Sequence, residues 1–172
     1  MPGDLADCKT TRLLRPAYKH YEIAATLGPT IRCMNSCRPV LDTGAGINLV
    51  RPNILPDNWK TYAVVLSRSP SIKDAKSRRL EVKYAIHLIV DTGAIKTFER
   101  FFVAERLSVP CILGTEFIER CIEGILPRRR LVAWRKELCG SSPDKHSTPV
   151  LACLANGQWD RHWRDQSARV RA

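Results

Sequence analysis

The sequence predicts an all-β fold with one short helix near its C-terminal end, and three observations carry that expectation. The first is the segment LEVKYAIHLIV, where Leu80, Val82, Tyr84, Ile86, Leu88 and Val90 are apolar at strict period two. Glu81, Lys83 and His87 fall between them, which is the pattern of a half-buried strand. The second is TFERFFVAE, another apolar run a few turn residues later. The two runs make a hairpin joined by Asp91-Thr92-Gly93-Ala94, with Gly93 available for positive φ. The third is the density of Gly, Pro, Asn and Asp from Tyr21 to about Pro127, which cuts the chain into strand-sized pieces.

Taken in order, residues 1–20 are mixed and basic and read as an N-terminal extension. IAATL is a strand that ends at the turn signal Gly28-Pro29. IRCM and RPVL follow as short strand-like pieces leading into Asp42, and INLV leaves the Gly-rich turn beyond it. Pro52 and Pro56 break the chain before NWKTYAVVL. The polar, basic stretch SRSPSIKDAKSRR is an exposed loop or hairpin arm. After Pro110, Phe117, Ile118, Cys121 and Ile122 recur at helical spacing, so a short helix is expected from near Thr115 to Gly124. RLVAW, with a strand near residues 131–135, is one further piece of β structure. Beyond Glu137 the composition turns to Ser, Pro, Gly and charge, with nothing to build a core. The expected organisation is an extension (1–20), a folded domain (21–126) and a basic tail or linker (127–172).

Composition bounds the function classes. At 172 residues with 44% apolar content, the chain can bury one modest core. No apolar run is long enough to cross a bilayer, and no membrane partner is expected. MPGDLADCKTTRLLRP has no apolar centre, so an intracellular, cytoplasmic setting is expected. Seven cysteines at irregular spacing fit reduced thiols better than a disulfide framework. Cys33 and Cys37 are spaced like half a zinc site, but no second ligand pair follows, and strands often bury free Cys; no metal and no cofactor are expected. The net charge is +11, much of it in PRRRLVAWRKE and RHWRDQSARVRA. A solvated end explains this plainly, and a weak nucleic-acid contact through the basic tail is the alternative.

The tetrapeptide Asp-Thr-Gly-Ala occurs twice, at residues 42–45 and 91–94. Such a turn suits acid/base chemistry, because Gly lets the backbone turn tightly while Asp presents its oxygens outward. Where two such carboxylates meet, one keeps a proton and the pair serves as acid and base together. Context separates the copies. The first lies between apolar Val40-Leu41 and apolar Ile47, Leu49 and Val50, and CILGTEFIE begins far downstream, with Ile112 70 residues after Asp42. The second, 21 residues before Ile112, joins the two apolar runs described above and reads as a hairpin turn. The scattered histidines His20, His87, His146 and His162 offer no competing nucleophile arrangement.

LDTGAGINLV together with CILGTEFIE resembles the retropepsin family, the aspartic proteases of retroviruses and LTR retrotransposons, best described as gypsy-like. The resemblance covers about residues 21–126. It implies a retropepsin-like closed β-barrel, the acid protease fold, with half an active site per chain. It further implies a homodimer in which Asp42 meets its symmetry mate. Thr43 then braces the opposite loop, Gly44 permits the turn, and Ala45 leaves space beside the dyad. Ile112, Leu113 and Gly114 pack beneath the loop as its support. LPDNWK matches the linker before a flap. Ser69, Pro70, Ser71, Ile72 and Lys73 are the expected flap tip, over a polypeptide substrate bound as an extended strand.

The implied activity is an aspartic endopeptidase that processes a retroelement polyprotein, in the cytoplasm or within a retroelement particle. The alternative is an inactive retropepsin-like module for dimerisation or peptide binding. Three departures bear on this choice. The flap region has no Gly between Ser67 and Lys83, Pro39 removes a strand donor just before the turn, and Asn48 stands where Ser or Thr is frequent.

Overall fold

The structure is a computed structural model in which residues 5, 8–14 and 21–139 are described; of the tail expected at 127–172, residues 140 onward lie outside them. The chain is mostly β, a curled half-barrel sheet with one short helix, as the alternation and the turn residues require. Its strands are β1 (Thr10–Arg12), β2 (Tyr21–Glu22), β3 (Ala25–Gly28), β4 (Asn35–Cys37), β5 (Val40–Leu41), β6 (Leu49–Val50) and β7 (Ala63–Val65). They continue with β8 (Ile72–Lys73), β9 (Arg79–Leu80), β10 (Val82–Asp91), β11 (Lys96–Ala104) and β12 (Cys111–Leu113). The helix α1 (Thr115–Cys121) precedes β13 (Ile122–Leu126) and β14 (Leu131–Trp134).

Nine strands form the main sheet in the order β2-β5-β12-β6-β11-β10-β3-β4, and β7 joins it on β10. The expected hairpin is its spine: β10 and β11 pair from Val82↔Ala104 to Asp91↔Lys96, with a bulge between Val82 and Tyr84. Along its other edge β10 serves two partners in turn, β7 at Tyr84–Ile86 and β3 at Ile89–Asp91. This interior position changes the expected half-burial. Ala85 and Ile89 lie on the face the alternation marks as polar, yet both are buried. The core gathers Ile23, Leu27, Leu41, Val50, Ile86, Leu88, Val90 and Phe101 with Leu113 and Phe117.

Three segments differ from expectation. IRCM is a turn rather than a strand: the chain folds back so tightly that a Cβ on Gly28 would stand 1.8 Å from the Cys33 carbonyl oxygen. The helix ends at Cys121, not Gly124, because Ile122 is buried in extended backbone and pairs with Trp134. Gly124 instead follows a bulge in β13. Finally, β1 from the N-terminal extension pairs with β14, giving a three-stranded sheet β1-β14-β13. Trp134 is fully buried there, donates its indole N–H to Thr11 Oγ1 at 2.7 Å, and meets Phe117 edge-on. Val132 and Trp134 belong to the same core as Leu41 and Leu113, so the packed unit reaches on both sides of residues 21–126.

Candidate active site

Asp42 is the first residue after β5, and the loop it opens returns to the sheet at Leu49. A turn at this place needs its two limbs held apart and its floor filled, and β12 does both. It lies between β5 and β6, parallel to the first (Ile112↔Val40, Leu113↔Leu41) and antiparallel to the second (Cys111↔Val50, Ile112↔Leu49). The Asp42 N–H continues this ladder by donating to the Leu113 carbonyl at 3.0 Å. Pro39 costs little, because β5 begins after it and its carbonyl accepts from Ile23 N–H at 3.1 Å.

Within the turn, Asp42 Oδ1 accepts the Gly44 N–H at 2.8 Å, and the Asp42 carbonyl accepts Ala45 N–H at 3.2 Å. A Cβ on Gly44 would lie 3.2 Å from Asp42 Oδ1, so glycine leaves the carboxylate room. Asp42 is partly buried while Thr43 and Gly44 are exposed, so the carboxylate is presented at the surface by a fixed backbone.

Leu113 and Gly114 lie against the turn, with Ile112 beside them in β12, and two further residues hold its rim. Gly114 caps α1 against the turn: a Cβ there would meet the Ile47 and Ala45 carbonyl oxygens at 2.5 and 2.6 Å, so only glycine allows this approach. Thr115, the first residue of α1, donates its N–H to the Ala45 carbonyl at 2.7 Å. Its hydroxyl lies within bonding distance of the carbonyls of both Ala45 (2.9 Å) and Thr43 (3.2 Å). Asn48 is buried and its side-chain amide is bonded at both ends, to the Gly114 N–H at 2.9 Å and the Arg100 carbonyl at 3.1 Å. The sequence marks Asn48 as a departure bearing on support of the loop and Thr115 as a helix start, but not their partners, since both act through contacts more than 50 residues away.

The segment Ser69–Lys73 leads into a two-stranded hairpin in which Ile72 pairs with Leu80 and Lys73 with Arg79. Its turn falls at Asp74–Arg78, so residues 69–73 form the rising arm and the tip lies further along. No glycine is needed at that tip. Ser77 takes φ 59°, and Asp74 Oδ1 accepts the N–H groups of Lys76 and Arg78 at 2.9 and 2.8 Å. These bonds hold the Asp74 carboxyl below its ordinary range, the Arg78 N–H contributing most. Ile72 and Leu80 share an apolar cluster with Leu66, Ile47, Leu49 and Ile112, which ties the hairpin base to the outgoing limb of the Asp42 turn and to β12.

The Asp91 copy repeats the local bond and nothing else. Asp91 Oδ1 accepts Gly93 N–H at 2.8 Å, Gly93 takes φ +80°, and Thr92 Oγ1 accepts from Ile95 N–H at 3.1 Å. The other carboxylate oxygen pairs with Lys96 at 3.4 Å. Three strands stand between β5 and β10 in the sheet, so the structure does not bring the two tetrapeptides together as neighbours. Among the described residues, no group of three His, Cys, Asp or Glu side chains is placed to hold a metal ion.

No family model matches the chain, and no curated protein matches it. Among solved structures, it is similar to a retropepsin-like aspartic protease from Rickettsia conorii, at 15% identity over 74% of this chain and 91% of that one, with a TM-score of 0.47. It is also similar to the EIAV protease complexed with the inhibitor HBY-793, at 16% identity over 62% of this chain and 92% of that one, with a TM-score of 0.45.

Proposed function

We propose that the chain is an aspartic endopeptidase whose working site forms when two copies bring their Asp42 turns together. The observation that carries this reading is the framed turn: a carboxylate oriented by Gly44 N–H, with both limbs gripped by β12 and its rim tied to Thr115. One carboxylate per chain makes half a site, and a twofold axis beside the turn supplies the other half. Of two carboxylates so close, one keeps its proton. The ionised member takes a proton from a bound water as it attacks a peptide carbonyl. The protonated member stabilises the oxyanion and then supplies a proton to the leaving amine. The hairpin β8–β9 serves as the flap, its backbone pairing with an extended substrate, and the apolar wall of Ile47, Ile72 and Ile112 receives side chains. A retroelement polyprotein is the substrate that the sequence resemblance suggests.

The test is cleavage of a peptide library at mildly acidic to neutral pH by the wild-type chain and by Asp42→Asn and Asp91→Asn variants. Asp42→Asn should lower kcat/KM by about 10²–10⁴-fold, and Asp91→Asn should leave it unchanged. Equal cleavage by all three proteins sinks the role of Asp42. No cleavage by any of them, from chains that still dimerise, would favour the peptide-binding module.

A further inference from the structure

We propose that Asn48 is the positioning residue of the Asp42 turn, fixing the turn's outgoing limb through a side-chain amide that must be donor and acceptor at once. This rests on the reading of Asp42 as catalytic and goes beyond it by naming what holds that group in place. Asn48 is 5% exposed, one of two buried polar or charged side chains among the described residues. A buried amide is tolerated only when bonded, and here each end meets a different element. Oδ1 accepts from Gly114, the cap of α1, and Nδ2 donates to the carbonyl of Arg100 in the middle of β11. The Asn48 main-chain carbonyl accepts Phe102 N–H at 3.0 Å, so the same residue is stitched to β11 twice.

The consequence reaches Asp42 through a short chain of contacts. Gly114 sits against the carbonyls of Ala45 and Ile47, and its neighbour Thr115 bonds to Thr43 and Ala45. Releasing the Gly114 N–H lets the cap of α1 drift from the turn, and the Gly44 N–H that orients the carboxylate drifts with it. Asn48 does not touch the reacting atoms in this scheme; it acts through Gly114 and the turn backbone.

Asn48→Asp separates positioning from mere packing, because the substitution keeps the shape of the side chain. When neutral, the introduced carboxyl can still accept from Gly114 and donate an O–H to the Arg100 carbonyl. Once ionised, it turns a second acceptor towards that carbonyl. Burial favours the neutral acid, so its ionisation should come above the ordinary carboxylate range. Asp42, Arg100 and Glu116, on the turn, β11 and α1, are common to both proteins, so each profile is compared with wild type.

The experiment follows Asn48→Asp and Asn48→Thr by peptide cleavage across pH and by the amide resonances of Gly44 and Gly114. Asn48→Asp should match wild type at its acidic limit, then lose at least about tenfold in kcat with little change in KM as the introduced carboxyl ionises. The Gly44 and Gly114 resonances should move in the same pH step. Asn48→Thr, whose single short hydroxyl replaces two amide ends, should shift both resonances and lower kcat by a constant factor. The proposal is overturned if Gly44 stays at its wild-type position in both variants, or if Asn48→Asp follows the wild-type profile throughout. If wild type itself cleaves nothing, the protease reading fails while the resonances still decide what Asn48 positions.

Discussion

At the scale of residues, the two Asp-Thr-Gly-Ala copies show how little a tetrapeptide determines by itself. Both fold into the same Asx turn with the same 2.8 Å bond, because that bond depends only on Asp and the following two residues. What distinguishes Asp42 is what surrounds it, and Gly114 is the most demanding part of that surrounding. Alanine at 114 would press a methyl into two backbone carbonyls, neither of which can rotate away as a side chain could. Gly114→Ala should therefore cost about 1–3 kcal/mol of stability, the usual range for overpacking. Its activity should fall further than that loss explains, since the displaced carbonyls belong to the Asp42 loop. Chemical denaturation with cleavage at matched folded fraction measures both.

At the scale of elements, the β10–β11 hairpin carries the fold and a titration signature. His87 stacks on Phe98 at 5.2 Å, and burial, aided by the Arg100 charge, holds its pKa down to about 4. A depressed imidazole gives stability above the ordinary value of 6.5, lost as pH falls towards 4, because the unfolded chain gains a proton that the folded one refuses. His87→Gln should flatten the loss of melting temperature between those two pH values; an unchanged slope would show that His87 is not its source. On the other strand, burial raises the Glu99 carboxyl despite its pairing with Arg120 of α1, which gives the opposite slope, stability falling as pH rises above the ordinary carboxylate value. The hairpin itself was legible in the sequence because its alternation is long and its turn chemistry explicit. The Ile122 strand and the IRCM turn were not. Ile122 extends because Trp134 receives it, and Cys33 turns because Gly28 lets the chain come close, both contacts that local pattern does not encode.

At the scale of the whole molecule, the question is whether one chain or two make the site. The order of the Asp42 turn, the polar stretch 67–79 and the downstream Ile112-Leu113-Gly114 is readable from the sequence alone. The structure adds that β12 threads between the turn's limbs while β1 and β14 close a separate sheet. Neither arrangement places Asp91 beside Asp42, which leaves a second copy of the chain as the proposed source of the partner carboxylate. That arrangement has a quantitative consequence. If active sites need two intact Asp42 residues, mixing wild type with Asp42→Asn at fixed total concentration leaves active pairs as the square of the wild-type fraction, provided the chains exchange freely. Equal parts should then retain about a quarter of the activity, whereas chains that work alone would retain about half. Measuring initial cleavage rates over a series of mixtures, refolded together so that partners are drawn at random, separates the quadratic from the linear dependence. A linear series would overturn the two-chain site whatever the peptide specificity proves to be.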